Sequence, residues 1–123
     1  MRVGVIGGGL MGSGIAEVCA RSGVDVTVVE ADEERAERSR AAIERSLSRG
    51  VRSGKVSEDD KTAALDRVAV TSTFEDIEGV DAAIEAVIED ERLKRDVFRR
   101  LDELLPDARF LASNTSSVPI MKL

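Results

Sequence analysis

One glycine-rich segment near the start of the chain guides the interpretation of the rest: Val3-Gly4-Val5-Ile6-Gly7-Gly8-Gly9-Leu10-Met11-Gly12-Ser13-Gly14-Ile15-Ala16. Residues 2–6 form a short apolar run, which is typical of a buried parallel strand. The spacing Gly-x-Gly-x-x-Gly follows at Gly7, Gly9 and Gly12, and a helical pattern begins at once. The first glycine permits a tight turn, the second lets a pyrophosphate approach the backbone, and the third lets helix and strand pack closely. The segment therefore predicts a dinucleotide site at a helix N-terminus, although a glycine-rich connector in another α/β protein is an alternative.

An acidic residue stands where the second strand is predicted to end. Residues 24–29 are mostly β-branched, as in a strand, and Glu30 follows them, 23 residues after Gly7. A carboxylate at this point accepts hydrogen bonds from the ribose hydroxyls of adenosine and repels a 2′-phosphate, so NAD is favoured over NADP. Arg35 lies close enough in sequence to soften that preference, or it is a solvated helix residue. Taken alone, Glu30 also fits an ordinary surface charge at a strand end.

The rest of the chain alternates between helices and strands. We predict strands at residues 2–6, 24–29, 68–71, 80–87 and 109–113, and helices at about 10–21, 33–49, from 57 and from 89, with a brief turn or helix at 74–77. This alternation predicts an α/β fold, a Rossmann-type doubly wound parallel sheet in the strand order 3-2-1-4-5. The ligand is expected across the carboxyl ends of the strands, near Gly9, Glu30, Glu85 and Asn114.

Particular residues are expected to shape the helices. The inward face of the first helix is predicted to consist of Met11, Ile15, Val18 and Cys19. Asp32 and Ser57 are the expected N-caps of the next two helices. Gly50 is expected to end the long polar helix, and Pro106 the last one.

Composition excludes several classes of protein. With 42% hydrophobic and 34% charged residues, the 123-residue chain fits one soluble globular domain rather than a membrane or disordered protein. The net charge of −6 and only three aromatic residues, all Phe, argue against a nucleic-acid partner. Cys19 is the single cysteine and is expected to be a small core residue, which suits a reducing cytoplasm.

Three segments together resemble the 3-hydroxyacyl-CoA dehydrogenase family, including its 3-hydroxybutyryl-CoA members. The first is residues 5–16, the second is Ile84-Glu85-Ala86-Val87-Ile88-Glu89, and the third is Ala112-Ser113-Asn114-Thr115-Ser116-Ser117. The resemblance implies an oxidoreductase of fatty acid metabolism that interconverts 3-hydroxyacyl-CoA and 3-ketoacyl-CoA with NAD. On this basis the cofactor-binding set is Gly7, Gly9, Leu10, Met11, Gly12, Glu30, Glu85 and Asn114.

The same resemblance implies roles for three further positions. Glu85 matches a residue at the nicotinamide end of the cofactor, and an ordinary strand-end charge is the alternative. Ser116 matches a residue that contacts substrate and nicotinamide and supports the reacting oxygen, whereas a helix-capping serine is the alternative. Lys55 matches a cation on an arm that meets the phosphates of CoA, but a solvated lysine is the favoured interpretation.

The chain departs from the family at the general base. Family members use a histidine in a His-Phe-Phe-Asn-Pro segment that lies beyond residue 123, and this sequence contains no histidine. We therefore expect residues 1–123 to be an incomplete NAD-binding Rossmann domain, truncated after the fifth strand, without the C-terminal helical domain and catalytically silent. An uncovered sheet edge would then favour self-association. The alternatives are a 6-phosphogluconate or hydroxyisobutyrate type of dehydrogenase domain and a non-catalytic dinucleotide-binding module.

Overall fold

The computed structural model describes residues 1–7, 9–86, 91–104 and 110–113. Five parallel strands form one sheet in the order β3-β2-β1-β4-β5, which confirms the predicted topology. The strands are β1 (Arg2–Ile6), β2 (Asp25–Val29), β3 (Val68–Thr71), β4 (Ala82–Glu85) and β5 (Phe110–Ser113). The helices are α1 (Gly9–Arg21), α2 (Glu33–Arg52), α3 (Glu58–Arg67) and α4 (Glu91–Leu104), with a 3-10 turn at Phe74–Ile77. No helix in these ranges is both long enough and apolar enough to cross a membrane.

Apolar side chains form two clusters, which is the arrangement of a doubly wound fold. The first cluster joins β1, β2 and β4 to the three helices α1, α2 and α3, and its fully buried members include Val5, Val28 and Leu47. The second joins the same strands to the 3-10 turn and α4 through residues such as Ile6, Ile77 and Val97. Because the central strand β1 contributes to both clusters, its last four residues are buried and read as a continuous apolar run.

Helix α1 packs through small side chains, and the predicted inward face is partly wrong. Ala16 and Ala20 are fully buried, and Gly12 lies one turn before them. Met11 is 55% exposed and Val18 is 64% exposed. The reason is that a stripe of Gly and Ala at four-residue spacing lets the helix approach the sheet more closely than larger side chains would permit.

Cys19 is half-buried and packs against the first apolar cluster, as predicted for a small core residue. Burial raises the pKa of its thiol above the ordinary value. The thiol therefore stays protonated at neutral pH, and a protonated thiol is a poor nucleophile. This agrees with a structural role for the residue.

The predicted N-caps of α2 and α3 are confirmed. The carboxylate of Asp32 accepts a hydrogen bond from the backbone N–H of Arg35 at 2.8 Å, and Ser57 Oγ accepts one from the backbone N–H of Asp60 at 3.0 Å. Each bond satisfies an N–H that has no partner inside its helix. The Asp32 cap matters for the site because α2 begins directly after the strand end that carries Glu30.

The prediction that Gly50 ends α2 is wrong. The helix continues to Arg52, and the positive φ of +79° that terminates it belongs to Gly54. Gly50 is required for packing instead, because a Cβ there would lie 2.7 Å from Val56 Cγ2. Its carbonyl oxygen also accepts hydrogen bonds from the backbone N–H groups of Lys55 and Val56.

Strand β4 is shorter than the predicted range 80–87. It begins at Ala82, because Asp81 makes two hydrogen bonds to Arg2 outside the regular ladder, each 2.8 Å long. Several predicted boundaries lie outside the described residues: the end of this strand at residue 87, the start of the last helix at residue 89, and the stop at Pro106. The start of β5 at residue 109 lies outside them as well.

Candidate cofactor site

The turn after β1 has the geometry that its glycines predict. Gly7 has a φ of +68° and donates its N–H to the Val29 carbonyl at 2.7 Å, which joins the turn to the end of β2. Gly9 opens α1 with a φ of +50°, and a Cβ built there meets no atom within 4 Å. A Cβ on Gly12 would lie 2.1 Å from the Gly7 carbonyl oxygen. The helix start therefore contacts the turn directly, and the space beside Gly9 is left open for a ligand.

Glu30 is a buried carboxylate at the carboxyl end of β2, not a surface charge. Its residue is 5% exposed, and its backbone N–H donates to the Thr71 carbonyl of β3 at 2.9 Å. The side chain Oε2 accepts a hydrogen bond from the hydroxyl of Ser39 on α2. A buried carboxylate is tolerated only where hydrogen bonds replace its hydration. The carboxylate therefore lies at the edge of the cleft with the Ser39 hydroxyl in place of part of its hydration.

Glu85 is buried even more completely. It ends β4 with no exposed surface, opposite Ile6 in the register with β1. The next residue, Ala86, donates its N–H to the Ile6 carbonyl at 2.9 Å, so the chain stays tied to β1 just beyond Glu85. The alternative of an ordinary exposed strand-end charge is thus wrong. A carboxylate that is fully buried at a strand end needs a structural or functional reason.

A cleft of about 1080 Å³ opens at the carboxyl ends of β1 and β2. This volume is large enough for an extended ligand the size of a dinucleotide. Its lining includes Gly7, Gly9, Met11, Glu30, Ala31, Arg35, Arg38, Ser39, Phe74, Ala86, Val97 and Arg100. At one wall the guanidinium of Arg100 lies 4.1 Å from the centre of the Phe74 ring, a cation–π contact.

The cleft brings together four of the predicted site residues, Gly7, Gly9, Met11 and Glu30. The exposure of Met11, which contradicts the predicted inward orientation, results from its position on this lining. Gly12 lies beneath the cleft against the turn, and Leu10 contributes its backbone to the first turn of α1.

The other predicted residues lie elsewhere. Lys55 is exposed in the turn between α2 and α3 and does not line the cleft. Arg35 does line it, but its guanidinium is paired with Asp32 at 2.9 Å. Asn114 and Ser116 lie outside the described residues. The last described residue before them, Ser113, pairs with Glu85 in the register between β4 and β5.

Sequence reasoning missed Ser39, although a signal was present. The buried stripe of α2 consists of Ala36, Ser39, Ile43 and Leu47, at helical spacing. A serine among apolar residues on the inward face of a helix marks a polar partner in the interior. The wall formed by Phe74 and Arg100 had no such signal, because it depends on how α4 packs on the 3-10 turn.

Comparison with known proteins agrees with this geometry. The family model described as 3-hydroxyacyl-CoA dehydrogenase, NAD binding domain, matches residues 2–123. A 3-hydroxybutyryl-CoA dehydrogenase of Mycobacterium tuberculosis is 50% identical over 124 residues, which cover 99% of this chain and 43% of the relative. A probable 3-hydroxybutyryl-CoA dehydrogenase of Deinococcus radiodurans is 40% identical over 123 residues, covering 100% of this chain and 44% of that protein.

Solved structures give the same result. The crystal structure of M. tuberculosis FadB2 superposes with a TM-score of 0.91 at 50% identity, over 97% of this chain and 42% of that one. The (S)-3-hydroxybutyryl-CoA dehydrogenase PaaH1 of Ralstonia eutropha gives a TM-score of 0.89 at 34% identity, over 95% of this chain and 41% of the other. The chain thus spans less than half the length of these relatives. With its glycine turn, its buried strand-end carboxylate and a match over residues 2–123, the chain belongs to the 3-hydroxyacyl-CoA dehydrogenase NAD binding domain family, and its cofactor is NAD.

Proposed function

We propose that the chain is the NAD-binding portion of an oxidoreductase that interconverts 3-hydroxyacyl-CoA and 3-ketoacyl-CoA. The observation that carries the proposal is the pairing of the glycine turn with Glu30 at neighbouring strand ends, in a chain whose relatives bear 3-hydroxybutyryl-CoA dehydrogenase names. The family match favours this function over a 6-phosphogluconate or hydroxyisobutyrate type of dehydrogenase.

The described residues divide the binding of the dinucleotide between two strand ends. The backbone N–H groups at the start of α1 bind the pyrophosphate, because they carry the positive end of the helix dipole. The Glu30 carboxylate accepts hydrogen bonds from the ribose hydroxyls and repels a 2′-phosphate. When bound, NAD supplies the chemistry of hydride acceptance and donation.

The catalytic end of the site is proposed from the third motif. Because Ser113 pairs with Glu85, the segment Asn114-Thr115-Ser116-Ser117 follows directly from the strand beside β4. We assign Ser116 the task of donating a hydrogen bond to the reacting carbonyl oxygen, where negative charge develops as hydride arrives. Asn114 and Glu85 are assigned to the nicotinamide end of the cofactor.

Lys55 is proposed to meet the phosphates of an acyl-CoA. Its exposed position in the turn after α2 leaves the ammonium in solvent, where a phosphate can approach. The contact would lie away from the cleft lining. The phosphates of the acyl-CoA are therefore expected to bind near Lys55, separately from the dinucleotide in the cleft.

The chain is expected to bind NADH without turning over acetoacetyl-CoA. Residues 1–123 contain no histidine and no tyrosine, so they do not include the histidine that family members use as the general base. Titration by NADH fluorescence and a coupled absorbance assay would test both parts. Hydride transfer at a rate typical of an enzyme would contradict the silence, and tighter binding of NADPH than of NADH would contradict the role of Glu30.

Self-association is expected through β5, which occupies one edge of the described sheet. A strand at an edge presents unpaired N–H and C=O groups to another chain. Light scattering over a range of protein concentrations measures the mass directly, and a monomer at every concentration would contradict the expectation.

We also place the chain in the cytoplasm, because a single cysteine suits a reducing compartment.

A further inference from the structure

Glu30 is held by a residue that the family motifs do not include. Ser39 lies on the buried side of α2, where it is 3% exposed, and its hydroxyl donates a hydrogen bond to Glu30 Oε2. Both side chains line the cleft. In the described part of the chain, no buried side-chain nitrogen or oxygen lacks a hydrogen-bond partner. The pair lies where the buried stripe of α2 meets the cleft.

A serine at this point of a helix needs an explanation. Serine is a weaker helix former than alanine, and its hydroxyl ordinarily bonds to the carbonyl four residues earlier or to solvent. The neighbours of Ser39 in the buried stripe are Ala36, Ile43 and Leu47, which are all apolar. An ionised carboxylate accepts hydrogen bonds only, so the serine supplies the hydrogen that Glu30 needs. Alanine would fill the stripe but would leave Oε2 without this partner.

The contact engages one of the two oxygens of the Glu30 carboxylate. The hydrogen bond uses Oε2, so Oε1 is the oxygen that we expect to accept a hydrogen bond from a ribose hydroxyl. It also restrains the side-chain torsions of Glu30, so that the negative charge cannot move aside for a larger anion. Arg35 and Arg38 line the same cleft, paired with Asp32 at 2.9 Å and with Glu34 at 2.6 Å. A 2′-phosphate would find these cations nearby if the carboxylate were no longer fixed.

We propose that Ser39 is a positioning residue that fixes the Glu30 carboxylate and thereby sets the preference for NAD over NADP. The proposal rests on the proposed function, because it concerns how the same cleft binds the dinucleotide. Ser39 acts through Glu30 and need not contact the cofactor.

Titration of four proteins with NADH and with NADPH tests this inference: the unaltered chain, Ser39→Ala, Ser39→Thr and Ser46→Ala. Ser46 is the matched control, since it lies on α2 and donates to another carboxylate, that of Glu17, at 2.8 and 2.9 Å outside the cleft lining. Ser39→Ala is expected to weaken NADH binding by about five- to thirtyfold, with a smaller loss or a gain for NADPH. Ser39→Thr retains the hydroxyl and should recover the affinity for NADH, whereas Ser46→Ala should leave both affinities unchanged.

The ratio of the two affinities separates a positioning role from a structural one. If Ser39→Ala binds NADH as tightly as the unaltered chain, or loses both dinucleotides in equal proportion, the inference is overturned while the proposed function stands. If the unaltered chain binds neither dinucleotide, the proposed function fails and the inference fails with it. Melting curves of all four proteins confirm that each comparison is made between folded chains.

Discussion

Gly12→Ala is expected to destabilise the domain by about 3 kcal/mol, the upper end of the usual cost of overpacking. The added methyl group would lie 2.1 Å from the Gly7 carbonyl oxygen, which is a backbone atom of the turn itself. Relief requires α1 to move away from β1, because no flexible side chain is available to yield. That movement misaligns the amide groups that bind the pyrophosphate, so NADH affinity should fall by at least about tenfold.

Gly14→Ala is the matched control for this change. Gly14 lies two residues further along α1, and a Cβ there meets no atom within 4 Å. Alanine is the better helix former, so this variant should be more stable by up to about 1 kcal/mol. Urea unfolding and NADH titration measure both effects. Equal stabilities of the two variants would show that the close contact between helix and turn is not a constraint on the fold.

Glu30→Ala is expected to weaken NADH binding by about 1–3 kcal/mol, which is roughly five- to 150-fold. The ribose hydroxyls would lose their charged acceptor, and a void would remain beside Ser39. Binding of NADPH should suffer less, because the repulsion of its 2′-phosphate is removed as well. The ratio of the two dissociation constants should therefore move toward one.

Two further variants make this result specific. Glu30→Gln keeps the shape of the side chain and removes its charge, so it isolates the electrostatic part of the discrimination. Asp25→Ala removes an exposed carboxylate from the opposite end of the same strand and should leave both affinities unchanged. If Asp25→Ala reduced NADH binding as much as Glu30→Ala does, overall net charge rather than the ribose contact would account for the effect.

Much of the fold was predictable because local rules and topology agree in this chain. The strand order follows from alternating elements and right-handed crossovers, and the caps at Asp32 and Ser57 follow from side chains that satisfy unpaired N–H groups. The glycine turn was predictable for the same reason. Its positive φ angles and its close helix contact are demands that only glycine meets.

Burial of polar residues was harder to foresee. Glu85 and Glu30 each follow an apolar run, and nothing local distinguishes a carboxylate at the protein surface from one turned into the sheet edge. Their burial depends on α2 and β4 meeting β1 and β2 in space. The errors at Val18 and Gly50 share this origin. Val18 is exposed because α1 packs on distant strands through its alanines. Gly50 is needed because Val56, in the turn after α2, packs against it.

The alanine stripe of α1 has a consequence for how strongly the domain holds anions. Ala16 and Ala20 do not line the cleft, yet the size of their side chains sets the distance between the axis of α1 and the sheet. That distance determines the position of the N-terminus of α1, the positive end of its dipole, at the cleft. Part of the affinity for phosphate therefore depends on two buried alanines that do not contact it. A larger side chain at either position would push α1 away from the sheet and displace the helix N-terminus at the cleft.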